Sequence, residues 1–239
     1  MSTLKCGINE IDKHLDGFNY GEMVISASRA GHGNFHFLAS IARGICYNAK
    51  DDPKCLIFTD IAKRNISDMQ TGDENIFSFH AFQSKDLKGF KAELEEHTSK
   101  RKYRIIIIEN TELDISKNKE FYRIIKRSAV ENNILIFIKA FLNRKQERRY
   151  WYPPTIADIE GSPILEKLSD KIIIMQRPEV LGIKDCTGRE QIGMTDLVLF
   201  AYDLCTSKDS FIWFDKEKRI FENFDREKHH TYRYISISQ

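Results

Sequence analysis

Ser28-Arg29-Ala30-Gly31-His32-Gly33-Asn34-Phe35 follows a short aliphatic run and opens an amphipathic one. Glycines at that spacing let backbone N–H groups turn toward an anion, and the junction of a strand with a helix is where phosphate loops sit. A loop that hydrolyses a triphosphate also needs a lysine against the phosphates and a Ser or Thr hydroxyl on magnesium. Asn34 stands at the lysine position and Phe35 at the hydroxyl position. Asparagine donates a hydrogen bond without a charge, and a phenyl ring offers a metal no oxygen. Arg29, Gly31 and Gly33 therefore remain as groups able to face an anion, and hydrolysis by the usual route should fail. The same stretch also reads as a plain strand-to-helix turn whose glycines permit tight geometry.

A second grouping places Arg144, Lys145, Arg148 and Arg149 just before Tyr150, Trp151 and Tyr152. Basic side chains beside aromatic ones can track a phosphate backbone and stack bases, so this is the nucleic-acid candidate. It reads equally as a solvated loop whose aromatics rest on the sheet or on another protein. His32 and His36 are four residues apart, but His32 falls in the loop and no third ligand is evident, so no metal site is expected. Cys6, Cys46, Cys55, Cys186 and Cys205 are odd in number and contain no CxxC pair, which fits reduced thiols without assigned chemistry.

The elements that must position these groups are legible as short runs of Ile, Val and Phe alternating with longer amphipathic stretches, the pattern of a mostly parallel sheet covered by helices. Strands are expected near Met23 to Ser28, Cys55 to Asp60, Ile76 to Ala81, Arg104 to Ile108, Ile134 to Ala140 and Lys171 to Gln176. Helices are expected over Ile8 to Leu15, Phe35 to Tyr47, Asp86 to Ser99, Lys117 to Asn132 and Pro163 to Leu168. Asp196 to Tyr202 and Phe211 to Phe214 would add antiparallel edge strands. Asn143 to Pro154 is a loop leaving the carboxyl end of a strand, where open α/β sheets bind ligands. Val180 to Gly193 is a surface loop, Lys100, Arg101, Lys102 and Arg104 a solvated helix end, and Arg226 to Gln239 a loosely docked tail.

With 239 residues, 41% of them apolar, the chain can build one large core, and a single domain is expected. The net charge of +2 is too small to argue for nucleic acid in bulk, so any DNA contact must be local. The longest aliphatic run, Ile105 to Ile108, is far short of the roughly 20 residues of a membrane span, and the start lacks a secretory apolar stretch. A cytoplasmic protein with no membrane partner is expected.

Residues 6 to 44 resemble the opening of the ATPase domain of DnaB-like replicative helicases, from Cys6-Gly-Ile-Asn-Glu-Ile-Asp through Asp16-Gly-Phe to Arg29. Leu142-Asn-Arg-Lys-Gln-Glu-Arg, Ala157-Asp-Ile, Ser162, Leu165-Glu, Asp170 and Arg177-Pro-Glu follow the order of that family's loop, switch segment and sixth strand. The resemblance covers most of the chain, more weakly over residues 60–75 and 180–195. It implies a RecA-like P-loop NTPase fold, a mostly parallel sheet flanked by helices with antiparallel edge strands.

The resemblance also implies a series of losses. Ile61 stands at the position of the family's catalytic glutamate, with Asp60 one place away, and Glu109 replaces the aspartate that holds water-bound magnesium. Ala140-Phe141 replaces a Ser-Gln sensor pair, Tyr202-Asp-Leu an arginine finger, and Glu160-Gly-Ser-Pro a DNA-contacting switch loop. A degenerate member is expected: a pseudo-ATPase without catalytic residues or cofactors, serving as a DNA- or protein-binding module in replication or mobile-element biology. It would lack the family's N-terminal domain and linker helix, which puts a hexameric ring in doubt. The competing expectation is an active ATP-dependent helicase-type enzyme, with Glu109 and Asp60 on magnesium and Arg29 supplying the missing charge.

Overall fold

A computed structural model describes residues 3–59, 75–84, 86–99, 102–109, 119–143, 153–185, 187–201, 206–225 and 228–229. The strands are β1 (Met23–Ser28), β2 (Cys55–Thr59), β3 (Phe77–Ala81), β4 (Ile105–Glu109), β5 (Leu135–Phe141), β6 (Lys171–Gln176), β7 (Met194–Ala201), β8 (Thr206–Asp215) and β9 (Ile220–Glu222). The helices are α1 (Asn9–His14), α2 (Asn34–Asn48), α3 (Leu87–Ser99), α4 (Lys119–Asn132) and α5 (Ser162–Leu168). Among the described residues the strands make one nine-stranded sheet in the order β3-β2-β4-β5-β1-β6-β7-β8-β9. The first six in that order pair in parallel, and β7 to β9 continue antiparallel.

The central strands are buried on both faces, which is why they read as continuous aliphatic runs. Successive side chains point to opposite faces, so the four isoleucines of β4 divide between two cores. Ile105 and Ile107 join Val24, Ile57 and Phe137 beneath α1 and α2. Ile106 and Ile108 join Ile25, Phe58 and Ile136 beneath α3, α4 and α5. Helix α2 buries Phe37, Leu38, Ile41, Ala42 and Ile45 at helical spacing. Gly44 lets that helix approach the N-terminal segment, because a Cβ there would fall 1.8 Å from the Cys6 carbonyl oxygen.

Several sequence expectations need correction. The sheet has a further strand, β9, whose three residues are too few to show periodicity; it is held by pairing to β8 and by Phe221 in the core. Arg104 is no solvated helix end: its guanidinium lies 3.7 Å over the Tyr20 ring and 3.6 Å from Asp51. The segment Val180 to Gly193 lies at the surface over most of its residues, as expected, but it begins in a 3-10 turn, Pro178–Leu181, and buries Asp185 and Gln191. Within the C-terminal tail His229 is buried and stacks flat on Trp213 at 4.0 Å. Lys100 and Arg101 lie outside the described residues, as does the rest of the tail beyond Lys228 and His229. Among the described residues no helix is long and apolar enough to cross a membrane.

Candidate functional site

The carboxyl ends of the parallel strands meet the loop between β1 and α2. Alternation along the strands sends Ser26, Thr59, Glu109 and Lys139 to the face covered by α2, because Val24, Ile57, Ile107 and Phe137 point that way two residues earlier. Register places Thr59 beside Glu109 and Lys139 beside Ser26. The pairing of Ile108 with Ile138 brings Glu109 next to Lys139. The sheet thus aligns a hydroxyl, a carboxylate and an ammonium at its functional edge.

Gly33 caps α2 in the left-handed conformation, φ +85°, which a side chain adopts only under strain. Asn34 then turns inward. Its amide nitrogen donates to the Ser26 carbonyl at 2.9 Å, and its side-chain oxygen accepts from the Ser26 hydroxyl at 2.6 Å. Phe35, at the position where a hydroxyl would be needed, is buried in the hydrophobic core beneath α2. Of the other loop residues, Gly31 is exposed and Arg29 is half-buried.

Glu109 is wholly buried. Its Oε1 lies 2.8 Å from the Lys139 ammonium, whose side chain is only 11% exposed, and its Oε2 accepts from the Thr59 hydroxyl at 3.3 Å. A buried carboxylate is tolerated when paired and hydrogen-bonded in this way, and removing one partner strands the other. The Lys139 ammonium also sits 5.1 Å over the Phe141 ring. Ala140 faces the opposite core, so the pair Ala140-Phe141 splits across the sheet.

His32 braces the loop from beneath. Its Nδ1 accepts from the Arg177 backbone N–H at 2.8 Å, which leaves the proton of the neutral ring on Nε2. Burial, then the charges of Arg177 and Arg29, lower its pKa from 6.5 to about 4. The Arg177 side chain pairs with Glu179 and lies 4.1 Å over the Phe214 ring. The Arg177-Pro178-Glu179 motif therefore buttresses the loop. Glu160 donates its backbone N–H to Phe141 at 2.9 Å, and Gly161, φ +75°, starts α5; the expected switch segment is the turn that closes β5 onto α5.

Asp60, Arg144, Lys145, Arg148, Arg149, Tyr150 and Trp151 lie outside the described residues, as do Ile61, Tyr152 and Tyr202-Asp-Leu. Sequence reasoning missed Lys139, Thr59 and Ser26. Lys139 carried a signal, being the one charged residue within Leu135–Phe141, a strand otherwise apolar throughout.

Loops in this position hold magnesium and a nucleoside triphosphate. Among the described residues the metal's usual ligands do not fit it: Phe35 offers no oxygen, and the Glu109 carboxylate faces an ammonium. Among the described residues no three His, Cys, Asp or Glu side chains are placed to hold a metal ion.

Nine strands in this order, with helices on both faces, define the RecA-like fold of DnaB-like helicase ATPase domains. The solved ATPase domain of the protein G40p superposes with a TM-score of 0.71 at 15% identity, over 93% of this chain and 92% of that one. A DnaB-like replicative helicase, solved in a study of its interactions with primase, superposes with a TM-score of 0.73 at 16% identity, over 93% of this chain and 62% of that one. The sequence matches no protein-family model and no curated protein.

Proposed function

We propose that this chain is a non-hydrolysing relative of the DnaB-like ATPase domains, retained as a binding or assembly module in DNA replication or mobile-element biology. The observation that carries the reading is the inward turn of Asn34: the residue at the phosphate-lysine position bonds to Ser26 of its own strand. A catalytic loop needs a mobile cation there to neutralise charge in phosphoryl transfer. Glu109, the acid that would organise magnesium, is likewise engaged within the protein. The partner is DNA or another protein. The segment from Arg144 to Trp151 supports single-stranded DNA by its composition. The likeness of fold to a helicase studied with primase supports a replication protein.

Calorimetric titration with ATP and ADP, with and without magnesium, beside a phosphate-release assay, tests the first half of this reading. Neither magnesium-dependent binding nor release is expected, and turnover abolished by Glu109→Gln would overturn it. Fluorescence anisotropy with a labelled single strand tests the second half. Salt-sensitive binding that is lost when Arg144, Lys145, Arg148 and Arg149 become Ser would identify DNA, whereas no binding at low salt would direct the reading to protein partners.

A further inference from the structure

We infer that Lys139 is a built-in cation that occupies the charge position of a divalent metal at Glu109, so that this edge of the sheet is held together without metal or nucleotide. The inference rests on the non-hydrolysing reading and names the residue responsible for it. The pairing is built into the sheet. Lys139 lies on β5, between β4 carrying Glu109 and β1 carrying Ser26, with Ser26 as its register neighbour. Its ammonium reaches the Glu109 carboxylate at 2.8 Å with little exposure to solvent, and Glu109 has none. Thr59, on the far side of Glu109, donates to the second carboxylate oxygen.

A divalent cation at Glu109 would need a carboxylate oxygen facing it directly, within about 2.6 Å, or facing a water that the cation carries. The ammonium already lies against one of those oxygens, so the two cations would repel at short range in a dry environment. Moving Lys139 aside would take from buried Glu109 the ion pair at 2.8 Å, a loss that costs far more in the interior than it would at the surface. With the ammonium removed, the Glu109 carboxylate and the Thr59 hydroxyl beside it would be the oxygen ligands open to a divalent ion, with water completing its shell. The loop and the acid are therefore locked in one arrangement, and partner binding should not respond to magnesium.

The test uses the full chain without nucleotide and follows free Mn2+ by electron paramagnetic resonance during titration. Folding of each variant is checked by circular dichroism and urea unfolding. Wild type should show no Mn2+ site that depends on Glu109. Lys139→Gln should gain a site at least about tenfold tighter than any in wild type, and that site should vanish in Lys139→Gln combined with Glu109→Gln. Lys139→Met, of similar length and suited to a buried position, repeats the test if the glutamine variant does not fold. Folded variants that gain no Mn2+ site would overturn the inference, as would Glu109-dependent Mn2+ binding by wild type. If neither variant folds, wild type against Glu109→Gln decides alone: a difference in Mn2+ binding overturns the inference and equal binding supports it. Phosphate release by wild type would instead overturn the non-hydrolysing reading, and folded variants without a gain, beside an inert wild type, would overturn this inference alone.

Discussion

Each edge of the sheet carries a lysine paired with a carboxylate out of solvent, and the two pairs sit in different company. At the amino edge Lys171 contacts both oxygens of Glu22, at 2.7 and 2.8 Å. Glu22 also accepts from the backbone and side-chain nitrogens of Asn19, and neighbouring Asp170 accepts from Met23 and Lys126. Those bonds tie the start of β1 to β6 and α4, as a structural clamp. At the carboxyl edge Lys139 and Glu109 have similar chemistry but lie below the Gly31–Gly33 loop, where open α/β sheets hold their ligands. The contrast shows that an ion pair's meaning comes from its place in the fold: one pair ties strand starts to a helix, and the other lies at the edge where open α/β sheets bind ligands.

The largest expected effect separates the pairs directly. Lys171→Met should cost about 4 kcal/mol in urea unfolding, because Glu22 is left without its cation. It should leave Mn2+ binding unchanged, whereas Lys139→Met should gain it; a metal site appearing in both variants would erase the distinction.

Next in size is the pH response of the carboxyl edge. His32 has a native pKa of about 4 against 6.5 in the unfolded chain. Between those values the unfolded state binds the extra proton, so stability is at its plateau above pH 6.5 and falls as pH drops toward 4. The loss should reach about 3 kcal/mol. His32→Gln should flatten that limb in urea melts recorded across the window, and an unchanged limb would remove His32 as its source.

Asn34→Ala should cost about 1.5 kcal/mol, since the Ser26 hydroxyl and carbonyl lose their buried partner. A neutral result would mean that the inward turn of Asn34 contributes nothing to the loop. The smallest effect belongs to an exposed control: Lys91 and Glu95 are 3.5 Å apart on the surface of α3, and Lys91→Ala should change stability by only about 0.3 kcal/mol.

Much of the scaffold was legible. β1 and β6 fall over the residues that the aliphatic pattern delimits, Met23–Ser28 and Lys171–Gln176, because strands buried on both faces carry a nearly continuous apolar run with polar residues toward their ends. The start of α2 was legible to within one residue from the glycines before it. β9 was not, because three residues carry no period and its pairing partner supplies the order. Arg104 looked like part of a basic cluster because its charged neighbours adjoin it in sequence, while Tyr20 and Asp51 reach it only through the fold. At the site, the identities of Asn34 and Phe35 after the glycines were legible, but not the direction in which either side chain turns.

By itself the sequence determined the alternation of strands and helices, the place of the glycine loop, and the absence there of a lysine and a hydroxyl. These are local properties, written in periodicity and in the identity of neighbouring residues. Only the tertiary structure decided that β5 lies between β4 and β1, and hence that Lys139 neutralises Glu109 across thirty residues of chain. Strand order and register depend on how whole faces are buried together, so the partner of a buried charge is set by packing rather than by anything adjacent to it in sequence.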